Sequence, residues 1–169
     1  MDNTRKAVLS ELAAMLSMAW RDPGNPASIS SPLYPRDRAA AYFVQDLMHE
    51  KLGQGLAGWK VGATSQKMRE LDGHDDVIQG RIFASRSYVG ARHSLPIDLF
   101  PGARAETEFA FRLTATPYLR ETPWTAAEME SMMILQPAIE IIGNRYRLEG
   151  ASKAENSLMT IADNGGGIG

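Results

Sequence analysis

The sequence predicts an α+β protein in which helices come first and strands dominate afterwards. Residues 4–20 and 36–52 repeat apolar side chains at helical spacing, and most later segments are short and apolar, several of them β-branched. A proline-rich loop, residues 22–35, separates the two helices. We therefore expect an N-terminal helical region, residues 1–55, and a β-rich region that carries the chemistry, residues 56–169, within one compact domain.

The composition excludes several classes of protein. The chain has 169 residues, of which 44% are hydrophobic and 22% charged, and its net charge is −2, so it lacks the basic surface that nucleic-acid binding requires. It has no cysteine, which excludes disulfides and thiolate metal sites. Residues 7–20 are amphipathic and include Glu11, unlike a signal peptide or a membrane span. We expect a cytoplasmic protein with no membrane partner.

Further elements follow from local patterns in the second region. Residues 57–63 and 103–113 are predicted strands. Thr125 and Glu128 form a capping box, which predicts a helix from 125 to about 135, before Pro137. The apolar segment 138–146 is predicted as another strand.

Glu106 and Glu108 form the first candidate site. Side chains two apart on a strand share a face, so the two carboxylates project together while Phe109 and Phe111 are expected in the core. Taken alone, the pair fits the solvated face of an edge strand better than it fits a binding site.

Glu140 adds a third carboxylate from another strand. It is flanked by Ile139 and Ile141, so we expect a strand buried on both faces, where a glutamate must be paired, protonated or bound to metal. Three carboxylates from two strands would form an oxygen-only site suited to Mg²⁺ or Mn²⁺. No histidine has a partner at ligand spacing.

Two further features admit two interpretations each. Lys60 lies between Trp59 and Val61 and close to glycines. It is either a lysine that extends to solvent from a strand edge, or one that points into a polar pocket, where desolvation would make it an acid or base. The glycine run Gly165–Gly167 follows Asp163–Asn164 and is either a loop that admits a ligand or a linker.

Five segments together resemble the fumarylacetoacetate hydrolase superfamily, in particular its 2-oxopent-4-enoate (2-hydroxypentadienoate) hydratases and 4-oxalocrotonate decarboxylases. The segments, in matching order and spacing, are residues 58–65, 80–83, 105–111, 136–143 and 162–165. The resemblance implies a mixed β-sandwich roll preceded by helices. We expect this chain to lack the C-terminal strands of the family.

The resemblance also assigns roles to the candidate residues. It implies a divalent metal, Mg²⁺ or Mn²⁺, held by Glu106, Glu108 and Glu140, and it makes Lys60 the proton-transfer group. The residues expected to contact the substrate are Asp163, Asn164 and Gly165.

The implied function is that of a metal-dependent lyase, a hydratase or decarboxylase of a small 2-oxo or 2-hydroxydienoate acid from aromatic-compound catabolism. One alternative is a hydrolase of a carbon–carbon bond in an acylpyruvate-like substrate. That branch usually has a His–Glu pair, and only His74 lies near a matching segment. The other alternative is a non-catalytic partner subunit of an active homologue. We expect a homo-oligomer or an assembly with a partner chain.

Overall fold

The computed structural model describes residues 1–166 in two compact units. Unit 1 comprises residues 1–104 and 141–166, and unit 2 comprises residues 105–140. The helices are α1 (Asn3–Arg21), α2 (Arg38–Leu52), α3 (Gln66–Asp72), α4 (Ala126–Glu130) and α5 (Lys153–Ala162). The strands are β1 (Ala27–Ile29), β2 (Leu56–Gly62), β3 (Ile78–Phe83), β4 (Arg104–Leu113), β5 (Met133–Ile142) and β6 (Tyr146–Leu148). The predicted α+β class is confirmed, and the division of the chain at residue 55 stays a prediction.

Unit 1 has a core formed by its helices. Asp2 and Asp37 accept hydrogen bonds from first-turn amides and begin α1 and α2, and Gly53, with a φ of 62°, ends α2. The helical repeat of apolar residues places one stripe of each helix inward, and α2 contacts both α1 and α5. The fully buried residues of this core include Leu9, Leu12, Leu16, Val44, Met48, Met159 and Ile161.

The described strands form three two-stranded sheets. β1 and β6 pair in parallel, with Ala27 opposite Tyr146. β2 and β3 pair antiparallel, with Lys60 opposite Gly80. β4 pairs with β5 in the third sheet.

Some elements differ from those predicted. A short strand, β1, lies inside the predicted proline-rich loop. The capping box of Ser152 and Glu155 begins α5, a helix that was not predicted from the sequence. The box of Thr125 and Glu128 does form, but α4 ends at Glu130. The segment from Met133 is rich in isoleucine and other long apolar residues and pairs with β4 instead, and Pro137 lies within β5.

The expected burial of β4 and β5 is wrong. Phe109 is 78% exposed, Ile139 is 68% exposed, and Phe111 is exposed as well. Within residues 1–166, β4 and β5 are hydrogen-bonded as strands to each other alone, and one pair of strands cannot cover both of its own faces.

The described part of the chain contains no helix whose length and hydropathy would allow it to cross a bilayer.

Candidate active site

Three carboxylates converge in unit 2. Glu106 and Glu108 lie on β4 and Glu140 lies on β5, and one carboxylate oxygen from each lies within 4.8 Å of the other two. Glu106 and Glu108 are exposed and Glu140 is half-buried. The predicted alternation of β4 and its pairing with β5 thus bring together the three residues that the sequence selected.

This set of donors fits a hard divalent cation. Mg²⁺ binds oxygen at about 2.1 Å, so its ligands lie at most about 4.2 Å apart, and Ca²⁺ accepts somewhat longer separations. A spacing of up to 4.8 Å therefore requires only a small inward movement of the side chains. Three carboxylates without a nitrogen or sulfur donor favour Mg²⁺, Mn²⁺ or Ca²⁺ over softer metals.

Lys60 faces inward in unit 1. Its neighbours on β2, Trp59 and Val61, are more than half exposed, whereas Lys60 is half-buried. The Lys60 amine donates a hydrogen bond of 3.0 Å to the Gly165 carbonyl. The apolar face of β2 is therefore outward and the lysine inward, and the pocket interpretation of Lys60 stays a prediction.

Gly80 makes room for this arrangement. A Cβ at Gly80 would lie 2.6 Å from Lys60 Cε and 2.4 Å from the Asn164 carbonyl oxygen, closer than atoms can approach. A Cβ at Gly165 would lie 3.2 Å from Lys60 Nζ. The lysine side chain thus lies against two positions where the backbone has no side chain.

A left-handed turn follows α5 and receives the lysine. Asn164 has a φ of 57° and Gly165 a φ of 68°. Asn164 Oδ1 accepts a hydrogen bond of 2.7 Å from the Arg81 amide, and Asn164 Nδ2 donates one of 2.9 Å to the Arg81 carbonyl. An asparagine in a left-handed conformation therefore fixes the turn to β3. The predicted loop member Gly167 lies outside the described residues.

Asp163 is completely buried beneath this turn. Its Oδ1 lies 3.0 Å from Arg145 Nη2 and accepts a hydrogen bond of 3.0 Å from the Trp20 indole. The Arg145 guanidinium lies 3.8 Å from the centre of the Trp20 ring. Burial raises the pKa of Asp163 and lowers the pKa of Arg145, and the opposite charge of each opposes the shift of the other.

Gln45 connects the surroundings of the turn. Its side-chain amide donates hydrogen bonds to the carbonyls of Gln79 and Ile161, at 3.0 and 2.9 Å. Its Oε1 accepts a hydrogen bond of 2.9 Å from Arg81 Nη1. Gln45 is buried, so it links α2, β3 and the end of α5 in a low-dielectric environment.

The sequence interpretation missed Gln45, Arg145 and Trp20. Gln45 lies among the apolar residues of α2, and a polar side chain on the buried stripe of a helix is a signal that could have selected it. For Arg145 and Trp20 the sequence offers no local signal, because their shared partner is remote in the chain.

His74 is also buried in unit 1. Its Nδ1 lies 2.6 Å from Ser157 Oγ, and burial lowers its pKa. This position offers no support for the His–Glu pair of a carbon–carbon bond hydrolase.

Two hydratases are similar to this chain in sequence. The chain is 27% identical over 127 residues to 2-keto-4-pentenoate hydratase from Paraburkholderia xenovorans (strain LB400) and to 2-keto-4-pentenoate hydratase 3 from Pseudomonas putida. The match covers 73% of this chain and 45% of each relative, so the chain spans about half the length of the curated relatives it matches. No protein-family model matches it.

Solved structures define the fold. The chain is similar to 4-oxalocrotonate decarboxylase from Pseudomonas putida G7 complexed with magnesium and adipate, with a TM-score of 0.71 and 20% identity, over 99% of this chain and 62% of that one. The same enzyme complexed with calcium and acetate gives the same TM-score over 61% of its chain. These structural similarities confirm the predicted fold class. The two hydratases of similar sequence support the resemblance to the hydratase–decarboxylase branch.

Proposed function

We propose that this chain is the metal-binding, catalytic part of a lyase that acts on a small 2-oxo or 2-hydroxydienoate acid as a hydratase or decarboxylase. The observation that carries the proposal is the convergence of Glu106, Glu108 and Glu140 within 4.8 Å. The names of the relatives, a hydratase and a decarboxylase, support the reaction class.

The carboxylates would hold Mg²⁺ or Mn²⁺ in unit 2. When bound, the ion supplies a Lewis acid that polarises the oxygen atoms of a 2-oxo acid. The three glutamates leave no neutral or soft donor in the set, so the remaining positions around the ion suit water and an oxygen-rich substrate.

Lys60 would move a proton at C3 or C5 of the bound 2-hydroxydienoate substrate. Its half-buried amine is held by the Gly165 carbonyl, which supports a fixed direction for proton transfer. Asn164 and Gly165 would contact the substrate through the left-handed turn. The Asp163 side chain forms an ion pair with Arg145 and accepts a hydrogen bond from Trp20. Its role as a substrate contact stays a prediction.

Calorimetric titration with Mg²⁺ and Mn²⁺ tests the metal site. Glu106→Gln, Glu108→Gln and Glu140→Gln should each lower the affinity by more than about tenfold, because each removes a charged ligand. Glu130→Gln is the matched control, an exposed carboxylate of unit 2 outside the cluster, and should bind normally. Unchanged affinity in all three cluster variants would refute the site.

Turnover by the purified chain separates an enzyme from a non-catalytic partner. Formation of a product heavier than the substrate by one water, with Mg²⁺ present, reports hydration, and release of carbon dioxide reports decarboxylation. No turnover of either substrate class, with Mg²⁺ bound, would favour the partner-subunit alternative.

Two other expectations belong to the same proposal. The exposed Phe109, Phe111 and Ile139 support association with further copies or with a partner chain, which light scattering on the purified protein can measure. The cytoplasmic location stays a prediction.

A further inference from the structure

Three groups from separate parts of unit 1 meet beneath the turn that receives Lys60. Trp20 lies near the end of α1, Arg145 precedes β6, and Asp163 caps the end of α5. Trp20 and Arg145 are at most 3% exposed and Asp163 is fully buried. Both contacts to Asp163, from the indole and from the guanidinium, fall on Oδ1.

The contacts continue from this cluster to Lys60 through consecutive residues. Asp163 is followed by Asn164, whose side chain binds both backbone groups of Arg81, and then by Gly165, whose carbonyl accepts the Lys60 hydrogen bond. Both residues after Asp163 adopt positive φ. A small rotation at Asp163 would therefore redirect the carbonyl that holds the lysine.

We propose that Trp20 is a positioning residue: its indole N–H, together with Arg145, fixes Asp163 and thereby the Asn164–Gly165 turn that orients Lys60. A buried ion pair alone is a poor source of stability, because desolvation offsets much of its attraction. The ion pair here fixes the orientation of the Asp163 carboxylate. Trp20 constrains that carboxylate through a hydrogen bond, and the Trp20 ring lies against the Arg145 guanidinium. The link to catalysis rests on the proposed function of Lys60.

Trp20→Phe tests this with little disturbance. The phenyl ring retains an aromatic surface for Arg145 and for the edge contact with Phe83, and only the N–H donor and part of the ring are lost. Asp163→Asn is less useful, because it leaves a buried guanidinium without its counter-charge and the protein then risks not folding. Ser157→Ala is the matched control, since it also removes one buried side-chain hydrogen bond, which joins α5 to His74 and not to Asp163.

The first measurement needs no activity. Hydrogen exchange of the Arg81 amide reports the Asn164 contact directly, and it should become about tenfold faster in Trp20→Phe than in Ser157→Ala. The Asn164 side-chain amide resonances should shift in Trp20→Phe alone. Equal Arg81 exchange in the two variants would overturn the proposal, whether or not the chain is an enzyme.

The second measurement concerns Lys60. With turnover established, Trp20→Phe should lower kcat by roughly tenfold with a smaller change in KM and normal Mg²⁺ affinity. A changed Arg81 amide with an unchanged kcat would overturn the link to Lys60. Absence of turnover in the wild type would refute the proposed function, and the exchange result would still decide the role of Trp20.

Discussion

At the scale of single residues, the orientation of the Lys60 side chain is determined by its neighbours. The glycines at positions 80 and 165 allow its side chain to lie against the backbone, and the outward Trp59 and Val61 show that the strand places its polar residue inward. A lysine in such a position is held at one end by its strand and at the other by a carbonyl.

Lys60→Met should therefore lower kcat by roughly 10²–10⁴, the usual effect of removing one acid–base group. KM should change less, because proton transfer is stabilised mainly in the transition state. Solvent exchange at the substrate carbon, followed by NMR in heavy water, measures the step. Lys67→Met, an exposed lysine on α3, is the control and should behave as wild type. Proton exchange as fast in Lys60→Met as in wild type would exclude Lys60 as the proton-transfer group.

Sequence alone could select the residues of the site that depend on local periodicity. Glu106 and Glu108 are two apart on a strand, and Lys60 interrupts an apolar segment beside glycines, so each carries its own signal. The contact between Trp20 and Asp163 joins residues 143 positions apart. Such a pair has no local pattern, because only the packing of α1 against the rest of unit 1 brings the two together.

At the scale of elements, the contact between α5 and the segment that follows α3 contains a titratable group. His74 follows α3 and Ser157 lies in the middle of α5, and both are buried. Burial lowers the pKa of His74, opposed by the negative charges of Asp72 and Asp75 and assisted by Arg38. The folded protein thus resists protonation of this imidazole.

Stability should consequently fall in mild acid. The unfolded state binds a proton at His74 as the pH falls through about 6.5, while the folded state remains neutral until a lower pH is reached. The free energy of unfolding is therefore fully retained above about pH 6.5 and decreases below it. Urea unfolding from pH 7.5 to pH 5 measures the slope, which His74→Asn should reduce.

His93→Asn is the control for this experiment, because His93 is exposed. It should retain the wild-type slope. If His74→Asn keeps the full slope as well, another group is responsible for the pH dependence.

The sequence predicted the bounds of a helix to within about two residues where the helix has both an N-terminal cap and a stripe of apolar residues. The expected helices at 4–20 and 36–52 correspond to Asn3–Arg21 and Arg38–Leu52. It failed after residue 130, since a capping box fixes where a helix begins but not where it ends. The same reasoning would have found α5, which begins with an equivalent box at Ser152.

At the scale of the whole chain, the two compact units contain different parts of the candidate site and differ in how much of their surface is buried. Unit 1 contains the helical core, the lysine and its turn, whereas unit 2 contains the carboxylates on strands that are largely exposed. Pairings such as Ala27 with Tyr146 could not be predicted, because parallel partners distant in sequence have no shared local signal. The sandwich architecture was predicted through the family resemblance, not from periodicity.

Binding of Mg²⁺ should therefore stabilise unit 2 selectively. At 100 times the dissociation constant, a ligand adds about 2.7 kcal/mol to the free energy of unfolding of whatever binds it. Hydrogen exchange should slow in β4 and β5 on Mg²⁺ addition and remain unchanged in β2 and β3. Glu106→Gln should reduce the effect at the same Mg²⁺ concentration, because it lowers the affinity. Equal slowing in both units of the wild type would show that the ion is not held by unit 2 alone.

The burial of Trp20 also gives the protein an optical property. The three tryptophans occupy distinct surroundings: Trp20 is enclosed in unit 1, Trp59 is 55% exposed in unit 1, and Trp124 is half-buried in unit 2. Aqueous quenchers such as iodide reach Trp59 readily and Trp20 hardly at all. The emission that iodide quenches least therefore comes mainly from Trp20 beneath the turn, whereas Trp124, the sole tryptophan of unit 2, should be quenched to an intermediate extent.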